Sequence, residues 1–545
     1  MRLSAAETIA AAAGAGVTVF DTARAYGDNE ALLADALRRA GAEHSARVVT
    51  KGGMARADGA WVPDGRAKTI RNDCEASLTA LDGLPIDLYL VHAPDPRTPW
   101  ATTVRALARL VDEGHVARVG VSNVNRRRLD EALTLAPIAA VEVALSLVDD
   151  RAVRGGVLER CAEAGITVIA HSPLGGPRRA PTLARHRALA DVAARLEATP
   201  AEVALAWVLG LSPNVVAIPG ARRPETVRSA VRAATLELPE EDRVALTRAF
   251  DRRAPARVAG ATRPADGGEV VLVMGIPGAG KSRVAEDYVA RGYVRINRDE
   301  RGGSLLGVAD ALDDQLASGV QCVVLDNTYL TRASRSYVIE TASRHGVPVR
   351  CVWLDTPLAQ AQVNLVARLL DRFGVLPTPE ELRQRARSEQ GLLAPTSQMR
   401  AVRELEPPSE DEGFAAVEQR EFVRGSDGRA HAGVFVAAGA LEQPGWQRLL
   451  EAADRAAPHL VFDWRSDSGL AAEVERLEAA VSGPVESAVC PHGGGPPRCW
   501  CRPPLPGLPL AFARRHDVDP ARSVLIGTSP AHRTLAGTLG ARYVS

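Results

Sequence analysis

The sequence predicts an α/β chain of several domains, and three observations carry that prediction. At 545 residues the chain is too long to fold around one hydrophobic core. Short β-type runs alternate with amphipathic helical stretches through the N-terminal part, the pattern of a parallel sheet wrapped by helices. At residues 270–282 the run Val270-Val-Leu-Val-Met-Gly-Ile-Pro-Gly-Ala-Gly-Lys-Ser282 ends in the spacing G-x-x-x-x-G-K-S, a buried strand feeding a phosphate-binding loop.

Composition narrows the function classes. Net charge is +0, and the charges around the loop nearly cancel, so no basic face advertises tight nucleic-acid binding. The chain has three lysines, Lys51, Lys68 and Lys281, against more than sixty arginines, and two of the three fall at motif positions. The N-terminal Ala-rich run is interrupted by Glu7 and lacks a basic leader, so it reads as a helix and not as a signal peptide. No segment is long and apolar enough to span a bilayer. Cys74, Cys161, Cys322 and Cys351 are scattered singly while Cys490, Cys499 and Cys501 cluster, which predicts a cytoplasmic protein with one metal knot.

Taken in order, the strands expected in residues 1–250 are Val17 to Asp21, Arg47 to Lys51, Asp87 to His92, Ala117 to Val121, Ala139 to Val143, Thr167 to Ala170 and Val215 to Pro219. Helices are expected over Ala31 to Ala40, Ala67 to Leu81, Val104 to Glu113, Ala152 to Ala164 and Pro200 to Leu209. Seven or eight such units predict a closed (β/α)8 TIM barrel, whose chemistry gathers at the carboxyl ends of the strands. Asp21, Tyr26, Lys51 and His92 fall there. An ammonium held by a carboxylate lowers the pKa of a neighbouring phenol, so that Tyr26 serves as general acid to a carbonyl oxygen, with His92 orienting that carbonyl.

The motifs Asp21-Thr-Ala-Arg-Ala-Tyr26, Val49-Thr-Lys51 and Leu88-Tyr-Leu-Val-His92 resemble the catalytic tetrad of the aldo-keto reductases. The resemblance implies an NAD(P)H-dependent barrel enzyme acting on a small-molecule carbonyl substrate. It also implies a nicotinamide site at Ser122, Asn123 and Glu142, where the family has Gln, and at the loop His171-Ser-Pro-Leu174-Gly-Gly, where it stacks a Tyr. Arg222 and Arg223 either pair with a 2′-phosphate and favour NADP over NAD, or form a solvated basic turn. The family's first strand ends in a segment like Met1-Arg-Leu-Ser4, so either translation starts upstream or the first strand is truncated.

Residues 251–268 have no apolar period and several breakers, and read as a linker. Residues 269–400 form the P-loop NTPase domain, a three-layer α/β unit. Gly275, Gly278 and Gly280 leave room for a phosphate chain, Lys281 reaches its terminal phosphates, and Ser282 is the Mg²⁺ ligand. Two further strands end in acids, Tyr293-Val-Arg-Ile-Asn-Arg-Asp299 and Gly319-Val-Gln-Cys-Val-Val-Leu-Asp326. With the Arg332/Arg335 turn these resemble the kinase domain of polynucleotide kinase/phosphatases. That resemblance implies ATP as donor, Asp299 as general base toward a nucleic-acid 5′-hydroxyl acceptor, and Asp326 as the acid beside the P-loop. It places Arg332 and Arg335 near acceptor or phosphate and gives a late-acting lid arginine, Arg368 or Arg372. The same fold serves kinases of small molecules and tRNA.

Residues 401–430 read as an acidic, Pro-containing linker, and residues 431–545 resemble the haloacid dehalogenase (HAD) phosphatases of the histidinol-phosphate type. The catalytic acids of that family would fall at Val436, Ala438, Thr528 and His532 and its lysine at Pro503, so this HAD-like α/β domain is expected to be inactive. Cys490, His492, Cys499 and Cys501 have the spacing of a tetrahedral Zn²⁺ loop, which the subfamily has; a disulfide or free thiols are the alternatives. The leading expectation is a bifunctional reductase and kinase. The rival is a kinase, or a nucleotide-dependent repair or assembly factor, whose barrel and HAD-like domains are binding or scaffold modules.

Overall fold

All seven runs expected as barrel strands are strands in the computed structural model, each an apolar segment paired in parallel with its neighbours. The structure describes residues 2–545 except 58–59, 184, 251–267, 387–388, 390, 422–427, 465–468 and 496, and the side chains of 2–4, 57, 60, 178 and 299 also lie outside the description. The chain forms two units, Met1–Arg257 and Val258–Ser545. The linker expected at 251–268 falls almost wholly outside the described residues. Among the described residues no helix is long and apolar enough to cross a membrane.

In the first unit the strands are β1 (Val19–Asp21), β2 (Arg47–Gly52), β3 (Met54–Ala57), β4 (Ala60–Pro63), β5 (Ile86–Val91), β6 (Val119–Ser122), β7 (Ile138–Ala144), β8 (Thr167–His171) and β9 (Val215–Ile218). A seven-stranded parallel sheet runs β1-β2-β5-β6-β7-β8-β9, a nearly closed (β/α)8 barrel, while β3 and β4 form an antiparallel hairpin that the sequence reading missed. The segment expected to end a first strand is instead the start of a helix, Arg2–Gly14; its alanines favour helix over strand. This helix packs on both Asn29–Arg39 and Pro224–Thr235, so the outer helical layer is continuous where β1 and β9 are unpaired with each other. The helix expected over Ala152 to Ala164 is divided at Gly155-Gly156 into Arg151–Arg154 and Val157–Glu163.

Period-two alternation decides which side chains enter the barrel. Val49, Leu88, Leu90, Ala140 and Ile169 fill its interior. Two residues further along each strand come Lys51, His92, Glu142 and His171, one layer above that apolar plug and at the carboxyl ends.

The second unit holds two parallel sheets. Strands β10 (Glu269–Met274), β11 (Val294–Ile296), β12 (Cys322–Asp326), β13 (Val349–Asp355) and β14 (Ala416–Glu421) lie in the order β11-β12-β10-β13-β14. The region expected as a linker at 401–430 therefore supplies the fifth strand of the P-loop sheet, whose residues Ala416 to Glu421 pair with Arg350 to Asp355. Its acids are also docked: Arg332 binds Asp411, and Arg335 binds Glu412. Strands β15 (Val434–Ala437), β16 (His459–Trp464), β17 (Val485–Cys490), β18 (Val524–Ile526) and β19 (Arg542–Val544) form the other sheet, ordered β17-β16-β15-β18-β19.

Helix Leu358–Phe373 joins the two halves of this unit. Val363, Val366, Leu369 and Leu370 share one core with Phe435, Leu460, Phe512 and Leu535 of the C-terminal sheet and its helices. On another face the helix meets the P-loop: a Cβ on Gly278 would lie 2.3 Å from the Ala361 carbonyl oxygen.

Candidate functional site

At the barrel mouth the sequence-predicted residues converge. Lys51 Nζ donates to both Asp21 carboxylate oxygens at 2.6 and 2.5 Å and to the Thr22 carbonyl at 3.1 Å. It also lies 3.1 Å from Glu142 Oε2, an ion pair the sequence reading missed, having placed Glu142 as a nicotinamide contact only. The ammonium is fully buried and sits 5.9 Å from the centroid of the Tyr26 ring. Tyr26 and His92 meet edge to face with centroids 5.7 Å apart. Trp61, on β4, completes the cluster at 6.1 Å from Tyr26 and 5.7 Å from His92. No periodic signal in residues 54–63 pointed to it.

Around this group, Asn123 adopts a left-handed φ of 56° just past β6. Its Nδ2 donates to the His92 carbonyl at 3.0 Å and to Ser122 Oγ at 3.0 Å, while Oδ1 is 3.1 Å from His171 Nε2. Ser122, Asn123 and His171 thus form one hydrogen-bonded rim. Leu174 packs, partly buried, against the barrel's apolar layer. Arg222 and Arg223 lie exposed between β9 and helix Pro224–Thr235.

Burial sets the electrostatics here. It pushes the Glu142 carboxyl up to about 8, helped by repulsion from Asp21 and opposed by Lys51. Burial and then Lys51 push His92 down to about 4, so its imidazole is neutral near pH 7, and burial likewise lowers His171. Sequence reasoning expected Lys51 to make Tyr26 more acidic. The phenol is instead raised, because burial outweighs the pull of Lys51 and the charges of Asp21 and Glu142 work against it.

In the second unit the P-loop glycines have left-handed φ of 87° at Gly278 and 94° at Gly280, with Gly275 at 154°. Lys281 Nζ donates to the carbonyls of Gly275 and Ile276, both at 3.0 Å, folded over the loop. Beside the loop is a cavity of about 240 Å³, lined by Ser282, Arg295, Asn297, Glu300, Arg368 and Arg372 among others. Asp326 is buried and held by Arg295 in two hydrogen bonds of 2.9 and 2.7 Å, a partner the sequence reading did not foresee. The side chain of Asp299 lies outside the described residues.

Arg332 and Arg335, expected near acceptor or phosphate, are not brought to this cavity's lining. Arg335 is fully buried, with Nε 2.7 Å and Nη2 2.5 Å from the Glu412 carboxylate and Nη1 bound to the carbonyls of Tyr329 and Glu406. Arg332 binds Asp411 at 2.7 Å. Arg335 pairs with a buried carboxylate and Arg332 with an exposed one, its own backbone N–H donating to Glu406 Oε2 at 2.8 Å, and both arginines anchor the 406–412 segment.

In the C-terminal sheet Val436 and Ala438 are buried at the end of β15, and the Thr528 N–H donates to His532 Nδ1 at 3.2 Å. The ligand atoms of Cys490, His492, Cys499 and Cys501 all lie within 4.8 Å of one another. Sulfur separations are 3.6 Å for Cys490–Cys499 and 3.3 Å for Cys490–Cys501, and His492 Nδ1 is 3.5 and 3.3 Å from Cys490 and Cys501. The thiols are free, so the disulfide alternative is not taken up.

Sequence comparison places two known patterns on these units. The Aldo/keto reductase family matches residues 2–250, and the AAA domain matches residues 270–391. The chain is 33% identical over 261 residues to aldo-keto reductase str7 of Strobilurus tenacellus, covering 43% of this chain and 76% of that protein. It is 32% identical over 259 residues to probable aldo-keto reductase 1 of Glycine max, covering 42% and 73%. A solved aldo/keto reductase from Klebsiella pneumoniae, in complex with NADP and acetate, is 28% identical, with 46% of this chain and 86% of that one covered at a TM-score of 0.41.

Proposed function

Since the chain belongs to the aldo/keto reductase family through its N-terminal unit, we propose that this unit reduces a small-molecule carbonyl at the expense of NAD(P)H. The observation that carries the reading is the buried Lys51 ammonium, clamped by Asp21 and Glu142 beneath a half-exposed phenol. The residues fit a cofactor and substrate at this mouth, because His92 Nδ1 is buried there with no hydrogen-bond partner among the described residues. NADPH, when bound, supplies the hydride. Ser122, Asn123, Glu142, His171 and Leu174 would hold its nicotinamide end, and Arg222 and Arg223 its 2′-phosphate.

Tyr26 Oη then gives its proton to the carbonyl oxygen, and the positive charge of Lys51 stabilises the phenolate left behind. Neutral His92 donates a hydrogen bond to the same oxygen and fixes its direction. The raised Tyr26 pKa keeps the acid protonated well above neutral pH. Titrating NADPH against the full chain by fluorescence tests the reading; no binding refutes it.

For residues 269–421 the reading is an ATP- and Mg²⁺-dependent kinase. It is supported by the AAA match over 270–391 and by the cavity that combines Ser282 with Arg368. Lys281 and the loop amides would hold the triphosphate, Ser282 the Mg²⁺, Asp299 would accept the hydroxyl proton, and Arg368 would neutralise charge in the transition state. The acceptor is a hydroxyl group, with a nucleic-acid 5′-end as the first candidate. Transfer from labelled ATP to 5′-hydroxyl oligonucleotides, with Lys281→Ala as control, decides between acceptor classes.

Residues 431–545 we read as a HAD-like domain without phosphatase activity, on the strand order of its sheet and the missing carboxylates. Its Cys490/His492/Cys499/Cys501 cluster is a structural Zn²⁺ site by the softness of the donors and their mutual spacing. Scattered single thiols elsewhere support a reducing, cytoplasmic setting.

A further inference from the structure

Trp500 lies between two cysteines of the cluster, and its side chain enters the core shared by the two halves of the unit. It is 1% exposed, it joins the core formed with helix Leu358–Phe373, and its Nε1 donates to the Leu393 carbonyl at 3.0 Å. Leu392 and Leu393 line the cavity that also contains Ser282, Arg368 and Arg372. The approach is close: a Cβ on Gly507 would lie 2.4 Å from the Trp500 carbonyl oxygen and 2.8 Å from Leu376 Cδ1. Helix Leu358–Phe373 in turn touches the P-loop directly, where Asn364 Nδ2 donates to the Gly278 carbonyl at 2.8 Å. A chain of contacts therefore runs from the cysteine cluster through Trp500 and the 391–393 segment to the arginines over the phosphate loop.

We propose that the Cys490/His492/Cys499/Cys501 loop sets the shape of the nucleotide cavity, so that Zn²⁺ in the loop tightens binding of a nucleoside triphosphate at the P-loop. The proposal rests on the kinase and zinc readings above. The loop between the ligands contains Gly493-Gly-Gly495, which has little preference of its own, and a metal bound at both ends removes that freedom. Without the metal the loop keeps only single hydrogen bonds such as Arg502 Nη1 to the Gly493 carbonyl at 2.9 Å and Gly507 N–H to the Trp500 carbonyl at 3.0 Å, so the indole's seat against Leu393 and the wall of the cavity are less firmly fixed. Trp500 is thus a positioning residue that acts through Leu393 and touches no substrate.

The test uses the full-length chain. Zinc content is measured by inductively coupled plasma mass spectrometry, and ATP affinity by calorimetry, before chelation, after chelation and after adding Zn²⁺ back. Far-ultraviolet circular dichroism serves as a control that the second unit remains folded, and NADPH binding as a control that the first does. The expected result is one Zn²⁺ per chain and an ATP Kd weakened roughly tenfold on chelation, restored by Zn²⁺, with NADPH affinity unchanged. Zinc-loaded Trp500→Phe, which keeps a ring but has no N–H, should bind ATP roughly five-fold more weakly, the loss of about one hydrogen bond. Equal ATP affinity with and without zinc, or in zinc-loaded Trp500→Phe, overturns the coupling; a chain that never carries zinc overturns it as well. Failure to bind ATP even when zinc-loaded is a different result, which overturns the kinase reading itself.

Discussion

Lys51 Nζ stands 3.1 Å from Glu142 Oε2 while it also holds Asp21, so one buried ammonium serves two carboxylates. Fully ionised, the trio carries a net negative charge in a site with little water, and Glu142 answers by keeping its proton up to about 8.

That proton makes stability depend on pH. Glu142 is raised from 4.5 to about 8, so the folded chain holds a proton that the unfolded chain releases. Its contribution is complete below about pH 4.5 and is lost as pH rises through about 8. Glu142→Gln removes this loss. The Tm of the variant minus that of the parent should therefore grow between about pH 5 and pH 8, read by calorimetry, and a constant difference would refute the shared charge.

Removing the ammonium has a larger effect. Lys51→Met leaves Asp21 without a counter-charge and Tyr26 without support for its phenolate. Carbonyl reduction should fall by about 10² or more in kcat, while the parent's pH profile should show no ionisation from His92 above about pH 5, since that group titrates near 4.

Two glycines of the P-loop should respond differently to the same change. Gly278→Ala puts a methyl group 2.3 Å from the Ala361 carbonyl oxygen at a φ of 87° and should cost the second unit about 3 kcal/mol or more. Gly280→Ala meets nothing within 4 Å and carries only the backbone penalty at a φ of 94°, about 1 kcal/mol. Denaturant midpoints of the two variants give the comparison.

Arg335→Ala should destabilise the second unit by about 3–5 kcal/mol, because Glu412 would be left buried without a counter-charge, with the Ser409 N–H still donating to it. Arg332→Ala, whose partner Asp411 is more than half exposed, should cost about 1 kcal/mol or less. If either variant instead lost ATP affinity while keeping its parent's stability, the arginine would be a phosphate ligand after all.

The barrel strands were legible because each is an apolar run and several carry a polar residue at or near the carboxyl end, and period two then stacks Lys51, His92, Glu142 and His171 on the inner face. The P-loop was legible because its spacing has one geometry. Other features had no local signal. Arg335 follows a strand as a phosphate-binding arginine would, and only a carboxylate 77 residues further on reveals that it is structural. Trp61 sits in a hairpin without apolar period. The strand Ala416–Glu421 is polar in four of its six residues, so it reads as linker until the edge of β13 pairs it. The sign of the Tyr26 shift was also out of reach, since it depends on how deeply three neighbours are buried together.

Helix Leu358–Phe373 has two apolar flanks, and the P-loop sheet covers one of them. Cutting the polypeptide near residue 430 would strip Phe435, Leu460, Phe512 and Leu535 from the other flank and leave a greasy stripe facing water. A C-terminal sheet that has no acids left for hydrolysis is therefore still indispensable to its neighbour, as the missing half of that neighbour's interior.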